Sequence, residues 1–238
     1  GGRKNGVLQA YKDWLEFQGF DYSFELYPVE PKLPHVPLEK DIDQLIGGFA
    51  YSMYAPFLQL AKESGWRPVE IWRLTPEDFD LEQQIVTLND PAKGSNPRQF
   101  KMSDKLTAMI TPLIRKAQPK TRIWRANLET IRHNIRRKRK EIAEKLSNPA
   151  LLRINLKAFR HFKGTMTYHK TKDILYTQKV LGHKQIKSTM VYTHLVNFES
   201  DEWTSMVAAT IEECCKLVDD GFEYVCDFEG RKIFRKRK

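Results

Sequence analysis

Five side chains in this sequence have types and spacings suited to chemistry on a phosphate group. Tyr192 stands nine residues after His183, which itself follows a Leu-Gly pair. Arg160 stands three residues after Lys157, and Arg67 follows a Gly-Trp pair far upstream. Guanidinium groups offer rigid forks of donors that match phosphate oxygens. A phenol with a pKa of about 10 becomes a nucleophile near neutral pH only beside cations or a base.

Each of these residues also has an ordinary structural interpretation. Taken alone, Tyr192 would be a half-buried helix tyrosine, and His183 would be a hydrogen-bonded core histidine. The spacing of His183 and Tyr192 resembles that of a known enzyme family, and this resemblance favours the chemical interpretation. Tyr168 and Tyr176 are alternative nucleophiles, but neither follows a Leu-Gly-His sequence, so we interpret both as structural.

The order and character of these segments resemble the tyrosine recombinase family. That family has an arginine in a Gly-x-Arg-x-x-Glu setting, a lysine on a hairpin and a His-or-Lys-x-x-Arg pair. A tyrosine follows nine residues after the histidine of a Leu-Gly-His sequence. The combination of motifs is specific because five spaced elements occur in the same order as in the family over residues 38–238. The matching residues are Arg67, Lys93, Lys157, Arg160, His183 and Tyr192.

The segment around the first arginine allows two interpretations of its charges. Arg67 could be a surface ion-pair partner of Glu70 or of Glu63. Because the resemblance makes Arg67 an active-site arginine, we prefer the second interpretation of Glu70, in which its carboxylate pairs with Arg67 and holds it in position from outside the active site.

The hairpin lysine has two competitors. Lys93 lies in a loop rich in turn formers, between predicted strands in residues 78–102. Lysines on loop tips are usually only solvated, and Arg98 or Lys101 lies close enough to be confused with it. The position at the hairpin turn favours Lys93.

The resemblance implies a role for each matched residue. Arg67 and Arg160 would hold the non-bridging phosphate oxygens, where charge gathers in the transition state. His183 could hydrogen-bond the phosphate, and Lys93 could protonate the leaving 5′-oxygen. Lys157 stands where many members carry histidine and is the candidate for helping Tyr192. This lysine and the chain's ending look more like archaeal members, including virus and plasmid integrases.

The implied reaction is cleavage and rejoining of DNA through a 3′-phosphotyrosyl intermediate. The intermediate conserves the bond energy, so no ATP, cofactor or metal is expected. The sequence agrees, since it has no phosphate-binding Gly-x-x-x-x-Gly-Lys loop and no carboxylate cluster spaced for a metal. Alternatives are a chromosome-dimer-resolving recombinase and a non-catalytic DNA-binding protein with the same fold. The family acts as a tetramer on two duplexes, and we expect a monomer or weak oligomer when the protein is free.

The charge distribution favours double-stranded DNA as the partner. The chain carries a formal net charge of +10. Residues 115–140 contain eleven Lys or Arg against one acid, whereas residues 199–229 contain ten acids and one base. A run of charged residues usually forms only a solvated face. In this segment, however, the excess charge has one sign and the aromatic Trp124 lies among the basic residues, so we predict contacts to phosphates. The predicted DNA-binding residues are Arg122, Arg125, Arg132, Arg136, Arg137, Arg139 and Lys140.

Composition narrows the class of protein. Hydrophobic residues make up 41% and charged residues 29%, as expected for a globular protein. No apolar run approaches the roughly 20 residues of a membrane helix, and no secretory signal is visible. Three cysteines, two of them adjacent, give neither a disulfide framework nor a zinc spacing. We therefore expect a cytoplasmic, DNA-associated protein and no membrane partner.

Prolines divide the chain. Residues 27–38 hold four prolines and are predicted to be an extended linker. Residues 1–26 would be a remnant helix of an N-terminal core-binding region, with an apolar pattern over 7–18, and Gly1-Gly2 resembles a cloning scar. The family normally has a helical domain before the linker. We therefore expect this to be a truncated chain or a fragment that binds DNA more weakly.

The predicted fold is mainly α-helical with a small antiparallel β-sheet, the tyrosine recombinase catalytic-domain fold, over residues 39–238. Periodicity and caps predict a helical region from 38 to 64, broken at Gly47-Gly48, and the sheet in 78–102. The last helix is predicted at about 200–218, followed by a hairpin over 222–234 and a basic tail. Other helices are expected at 68–73, 103–116, 127–146, 155–170, 173–181 and 185–196.

Overall fold

The chain divides within its proline-rich segment. Backbone contacts separate it into two units, Gly1–Pro34 and His35–Lys238. Within the described parts of the chain, no helix is both long and apolar enough to cross a bilayer. The computed structural model describes residues 2–28, 33–50, 52–195, 203–228 and 230–237.

The first unit is one helix followed by an extended segment. Helix α1 spans Gly2–Phe17 and begins earlier than the predicted 7–18. The side-chain amide of Asn5 donates to the Tyr27 carbonyl and accepts from the Tyr27 N–H, both at 2.8 Å. Tyr11 and Trp14 stack with ring centroids 5.9 Å apart and remain exposed.

Three helices open the second unit. The Gly47-Gly48 pair separates the first two, as predicted, because glycine disfavours helix interiors. Helix α3 ends at Gly65, whose φ of 67° is a left-handed conformation that favours glycine. Pro68 occupies the first position of the next helix, where its missing N–H costs nothing. The bounds are α2 Glu39–Gly47, α3 Tyr54–Ser64 and α4 Pro68–Arg73.

A three-stranded antiparallel sheet follows, in the order β1-β2-β3. Ile85 pairs with Lys101 and Leu88 pairs with Arg98, so the connecting loop over 89–97 leaves one end of the sheet. Burial alternates along β2, which places Val86 and Leu88 in the core. The strands are β1 Phe79–Asp80, β2 Ile85–Leu88 and β3 Arg98–Lys101.

The next helices begin at side-chain caps. Ser103 Oγ accepts from the Leu106 N–H at 3.1 Å at the start of α5, which spans Asp104–Lys116. The Asn127 side chain accepts from the Thr130 N–H at 2.7 Å at the start of α6, which spans Leu128–Lys145. The predicted apolar stripe of α6 is buried at Ile131, Ile135 and Ile142, whereas Leu146 lies beyond the helix and is 46% exposed.

The segment that carries most of the predicted catalytic residues is also helical. Asn155 caps α7 and Asp173 caps α8, each by accepting from two backbone N–H groups. The predicted helix over 185–196 is shorter in the structure, because only Lys187–Met190 is α-helical and Tyr192 lies in the 3₁₀ turn Val191–His194. The bounds are α7 Leu156–Thr171, α8 Ile174–Leu181 and α9 Lys187–Met190.

The core is built around α3. Phe57, Leu58 and Leu60 have no exposed surface, so the helix is apolar on several faces, as a central helix must be. Trp124 packs edge-on against Phe57 at 5.2 Å between ring centroids, and its N–H donates to the Met53 carbonyl at 3.2 Å. This hydrogen bond removes the cost of burying the indole N–H.

The end of the chain corrects one prediction. The helix predicted at about 200–218 is wrong in its first half, because residues 203–208 form a strand; residues 196–202 lie outside the described residues. Thr210 Oγ1 accepts from the Glu213 N–H at 3.2 Å, and the Glu213 carboxylate accepts from the Thr210 N–H. This capping box fixes the start of the helix after Thr210. The elements are β4 Trp203–Ala208, α10 Ile211–Asp219, β5 Glu223–Phe228 and β6 Arg231–Arg237.

The predicted C-terminal hairpin is confirmed as β5 and β6, which pair antiparallel in a sheet of order β4-β6-β5. Its second strand continues to Arg237, so the predicted basic tail is mostly a strand. Ala208, Leu217 and Phe234 form a small apolar cluster of their own.

Candidate active site

All six residues predicted to be catalytic line one cavity of about 700 Å³. They come from the start of α4, the loop before β3, the first turns of α7 and the segment after α8. The six are Arg67, Lys93, Lys157, Arg160, His183 and Tyr192. The fold therefore brings distant parts of the sequence to a single concave site.

Arg160 lies at the bottom of this cavity and is 7% exposed. Its Nη1 donates to the Gly65 carbonyl at 2.9 Å and its Nη2 donates to the Leu181 carbonyl at 2.7 Å. Both acceptors end helices, where the helix dipole favours a cation. Burial, followed by the charge of Arg67, lowers the pKa of Arg160 to about 10, so the guanidinium stays protonated at neutral pH.

Glu70 contacts Arg67 through both its carboxylate oxygens. Its side chain has no exposed surface and does not line the cavity. Glu70 Oε1 lies 2.8 Å from Arg67 Nη1, and Glu70 Oε2 accepts from the Arg67 backbone N–H at 2.8 Å. Burial acts to raise the pKa of Glu70, but Arg98 and the Arg67 donors outweigh it and the net shift is downward. The carboxylate therefore stays charged and fixes Arg67.

Arg98 is a supporting residue that the sequence did not identify. Its Nη2 forms a second ion pair with Glu70 at 2.8 Å, and its guanidinium lies 5.4 Å from the Trp66 ring centroid. Its side chain is 8% exposed and does not line the cavity, so Arg98 is not the cation that would contact a phosphate there. Gly182 has a φ of 69°, a left-handed conformation that favours glycine, and a Cβ there would lie 2.6 Å from Arg98 Nη1, so the arginine would have to shift.

Lys93 lies on the loop between β2 and β3, at the edge of the cavity. Its backbone is left-handed, with φ 55°, and its side chain is exposed. Arg67 and Glu70 both contact the loop: Arg67 Nη1 lies 2.6 Å from Ser95 Oγ, and the Ala92 N–H donates to Glu70 at 3.2 Å. Lys101, its competitor, does not line this cavity.

Tyr192 is 3% exposed. Its ring lies against α7 at Gly164, where a Cβ would be 2.6 Å from the phenol Cζ. The phenol oxygen lies 3.3 Å from His161 Nδ1. Burial raises the pKa of Tyr192 above its ordinary value, while the charges of Arg160 and Arg67 act to lower it. The resting phenol is therefore protonated, beside two cations that would stabilise its anion.

His183 stacks parallel to Tyr192, with ring centroids 6.5 Å apart and planes 4° apart. Its Nδ1 lies 2.9 Å from the buried Thr189 hydroxyl. Burial, then the charges of Arg160 and Arg67, lower the pKa of His183 to about 4. The imidazole is therefore neutral at neutral pH and can donate one hydrogen bond.

One face of α7 supplies a further residue. Lys157, Arg160, His161 and Gly164 follow the spacing i, i+3, i+4 and i+7, which places them on the same side of a helix. Sequence reasoning identified the first two and missed His161 and Gly164, although this spacing was the available signal. Lys157 is exposed, whereas His161 is partly buried beside Tyr192.

The predicted DNA-binding residues separate into groups. Arg132, Arg136 and Arg139 line the cavity from α6, and Arg139 also donates to the Ile154 carbonyl. Arg137 and Lys140 are exposed on α6 but do not line the cavity. Arg122 and Arg125 line a separate hollow of about 550 Å³, where Arg122 stacks 3.7 Å from the Trp72 ring centroid.

The alternative tyrosines lie elsewhere. Tyr176 borders a different groove of about 860 Å³, and Tyr168 lines none of the cavity that holds Tyr192. Within the described residues, no group of three or more His, Cys, Asp or Glu side chains is arranged to hold a metal ion.

The site divides into two regions. We define the cavity floor as Arg67, Arg160 and Tyr192, which line the cavity, together with Glu70 and Arg98, which support Arg67 from outside it. The cavity mouth is Lys93 and Lys157. The floor combines guanidinium forks with a buried phenol, an arrangement that can hold phosphate oxygens beside a nucleophile.

Comparison with known proteins identifies related sequences. Residues 39–198 match the phage integrase family. Tyrosine recombinase XerA of Saccharolobus solfataricus is 25% identical over 139 residues, which cover 58% of this chain and 45% of that protein. Tyrosine recombinase XerA of Pyrococcus horikoshii is 26% identical over 201 residues, which cover 79% of this chain and 68% of that protein. The matched region thus spans less than half the length of the Saccharolobus relative.

Solved structures share the fold. A crystal structure of XerA recombinase has a TM-score of 0.56 at 21% identity and covers 79% of this chain and 70% of its own. The Tn1549 transposon integrase in complex with a circular intermediate DNA has a TM-score of 0.63 at 16% identity, with coverage of 84% and 76%. The predicted fold, mainly helical with small antiparallel sheets, is confirmed as that of a tyrosine recombinase catalytic domain.

Proposed function

The chain belongs to the phage integrase family, and from this premise we propose that it is a site-specific DNA recombinase acting through Tyr192. One observation carries the proposal: the buried phenol, two guanidiniums, a neutral imidazole and two lysines line one cavity. The relatives named tyrosine recombinase support the same activity.

Cleavage begins with a DNA phosphodiester in this cavity. Arg160, fixed by two carbonyls, and Arg67, fixed by Glu70, each direct donors at the non-bridging oxygens. Charge develops on those oxygens in the transition state, and preorganised donors stabilise it without reorganisation. His183 is neutral and adds one N–H to the same oxygens.

The covalent step exchanges one ester for another. The Tyr192 oxygen attacks phosphorus, the bond to the 5′-oxygen breaks, and Lys93 gives that oxygen a proton. The product is a 3′-phosphotyrosyl enzyme and a free 5′-hydroxyl. Attack by a 5′-hydroxyl from the partner strand reverses the step and rejoins the DNA. Because each intermediate keeps a phosphoester bond, the cycle uses no cofactor.

The exposed cations provide DNA affinity. Arg132 and Arg136 lead from the cavity along α6, where Arg137 and Lys140 continue the positive surface. Binding by phosphate neutralisation should weaken by roughly 0.9 log units per log unit of salt for each phosphate contacted. A flat salt response would argue against this surface.

The active assembly is proposed to be a homotetramer on two duplexes, with a monomer or weak oligomer in the absence of DNA. Light scattering of the free chain and of its complex with a target duplex distinguishes these states. Integration of a mobile element and resolution of chromosome dimers share this chemistry, and they differ in the DNA sites that are joined.

A suicide substrate tests the activity. A nicked duplex that loses a short 5′-hydroxyl fragment traps the covalent intermediate, which migrates as a protein–DNA band on a denaturing gel. We expect this band with the native chain and not with Tyr192→Phe, while Tyr176→Phe should retain it. If the native chain binds DNA and forms no covalent band with any target, it is a non-catalytic DNA-binding protein.

A further inference from the structure

The phenol of Tyr192 needs a group that can take its proton, and His161 has the position to do so. Its Nδ1 lies 3.3 Å from the phenol oxygen, and the two ring centroids are 6.0 Å apart at 52°. This is long for a hydrogen bond, but catalytic hydrogen bonds often tighten only when substrate is bound. His161 lines the same cavity as the phenol.

Other groups near the phenol are less suited to this task. The Nδ1 of His183 contacts Thr189 and its ring lies 6.5 Å from the phenol ring, whereas His161 Nδ1 lies 3.3 Å from the phenol oxygen. Lys157 is exposed at the cavity mouth, and an ammonium group carries donors and no acceptor. Arg160 already donates to two carbonyls and likewise cannot accept a proton.

We propose that His161 is a catalytic residue, and that its Nδ1 accepts the phenol proton as Tyr192 attacks the phosphate. This rests on the proposed recombinase function. As the bond from the Tyr192 oxygen to phosphorus forms, the phenol proton moves to Nδ1. The bond from phosphorus to the 5′-oxygen breaks, and Lys93 protonates that oxygen. On rejoining, imidazolium returns its proton to the Tyr192 oxygen.

The charges around His161 favour an imidazole that is unprotonated at rest and can therefore accept a proton. Burial, then Lys157 and Arg160, lower the pKa of His161 to about 4, so its ring is neutral at neutral pH. The charged and titratable groups that line the same cavity are Lys157 and Arg160 on its own helix, Tyr192 and His183 on the following segment, and, from other elements, Arg67, Lys93, Arg132, Arg136 and Arg139. A phosphodiester anion entering this cavity offsets those cations and makes His161 a stronger base when the substrate is present.

Two substitutions separate proton transfer from positioning. His161→Asn keeps an acceptor oxygen near the position of Nδ1 but cannot hold a proton at neutral pH, and His161→Ala removes both properties. With the suicide substrate at saturating protein, we expect both variants to form the covalent complex about 10²–10⁴-fold more slowly, the usual contribution of a general base. The matched control is His133→Asn, an exposed α6 histidine outside the cavity, which should keep the native rate.

The pH dependence gives a second readout. Without His161, the rate should rise with hydroxide concentration across pH 7–9, because the phenol then has to ionise unaided, whereas the native profile should be flatter. His161→Asn cleaving at the native rate with the native profile would overturn the proposal and leave His161 a positioning residue.

A measurement without DNA keeps the contact testable by itself. In the free protein, the ¹⁵N resonance of His161 Nδ1 should shift on Tyr192→Phe, because the phenol donor is lost. An unchanged resonance would contradict the contact. Failure of the native chain to form any covalent complex would instead contradict the recombinase function, so the two failures are distinguishable.

Discussion

The cavity floor and the cavity mouth hold their charged groups in different ways. Arg160, Arg67 and Glu70 on the floor are fixed by hydrogen bonds to backbone groups or to one another. Lys93 and Lys157 at the mouth are exposed, and their positions depend on the loop and the helix that carry them. We propose that this difference reflects two roles: the floor is organised before DNA binds, whereas the lysines form their contacts only with the bound substrate.

This difference predicts the largest effect for Arg160→Ala. Cleavage should fall by about 10³–10⁵-fold, the range known for an arginine that stabilises a transferring phosphoryl group. DNA affinity should change by only a few fold, because exposed cations supply most phosphate contacts. Single-turnover cleavage and fluorescence anisotropy measure the two quantities. Loss of binding with normal cleavage at saturating protein would reverse the proposed roles of floor and surface.

The effect of a substitution at the cavity mouth on the cleavage rate should depend on the leaving group of the substrate. Lys93→Met should slow cleavage of normal DNA by about 10²–10⁴-fold, because the 5′-oxygen loses its proton donor. A substrate with sulfur at the bridging 5′ position needs no such donor and should restore most of the rate. Lys101→Met is the matched control, and a sulfur-rescued defect in that variant would move the general acid to Lys101.

The cleavage rate should also be sensitive to small displacements of the side chains on the floor. Gly164→Ala places a methyl group 2.6 Å from the Tyr192 Cζ, so the ring must move. A displacement of about 1 Å can cost about 10²-fold in rate. Gly47→Ala is the control, since its Cβ meets nothing within 4 Å, and it should leave cleavage unchanged. Equal cleavage by the two variants would show that the phenol position is not critical.

The ion pairs of the floor and of the surface should differ in their effect on stability. Arg98→Met leaves the buried Glu70 carboxylate with Arg67 as its one guanidinium partner, and the free energy of unfolding should fall by up to about 3–5 kcal/mol. Arg73→Met breaks an exposed pair with Asp90 and should cost about 0–1 kcal/mol. Urea denaturation measures both. Similar losses for the two variants would mean that burial of the Glu70 network adds nothing.

Stability should also depend on pH. The pKa of His161 and of His183 is about 4 in the folded chain and near the ordinary 6.5 when unfolded. Between these values the unfolded chain binds protons that the folded chain does not, so stability should fall as the pH drops from about 6.5 to about 4. Protonation of Glu70, whose pKa is lowered, adds a further loss below that range. The double variant His161→Asn, His183→Asn should show a shallower fall, and an unchanged fall would place the linkage elsewhere, for instance at His35.

Much of this organisation could be predicted from the sequence. Ser103 and Gly65 marked helix ends, since they act through a local hydrogen bond and a left-handed backbone conformation. The six cavity residues could be found because their spacing resembles a known pattern. Features that depend on local chemistry of this kind can be predicted from a single sequence.

The remainder depended on contacts between distant segments. Arg98 pairs with Glu70 across 28 positions, and nothing near Arg98 in the sequence marks it as buried. His161 meets Tyr192 only after α7 and the 3₁₀ turn pack together. The strand at 203–208 was mistaken for helix because Trp203, Met206 and Val207 have helical spacing, whereas pairing with β6 makes this segment a strand.

The central claim is that the floor presents the Tyr192 oxygen to a single phosphate. Mass spectrometry of the covalent complex, after digestion with protease and nuclease, locates the modified side chain. We expect a nucleotide joined through its 3′-phosphate to the peptide that contains Tyr192. A nucleotide on Tyr168, Tyr176 or any other residue, or a linkage through a 5′-phosphate, would contradict the claim.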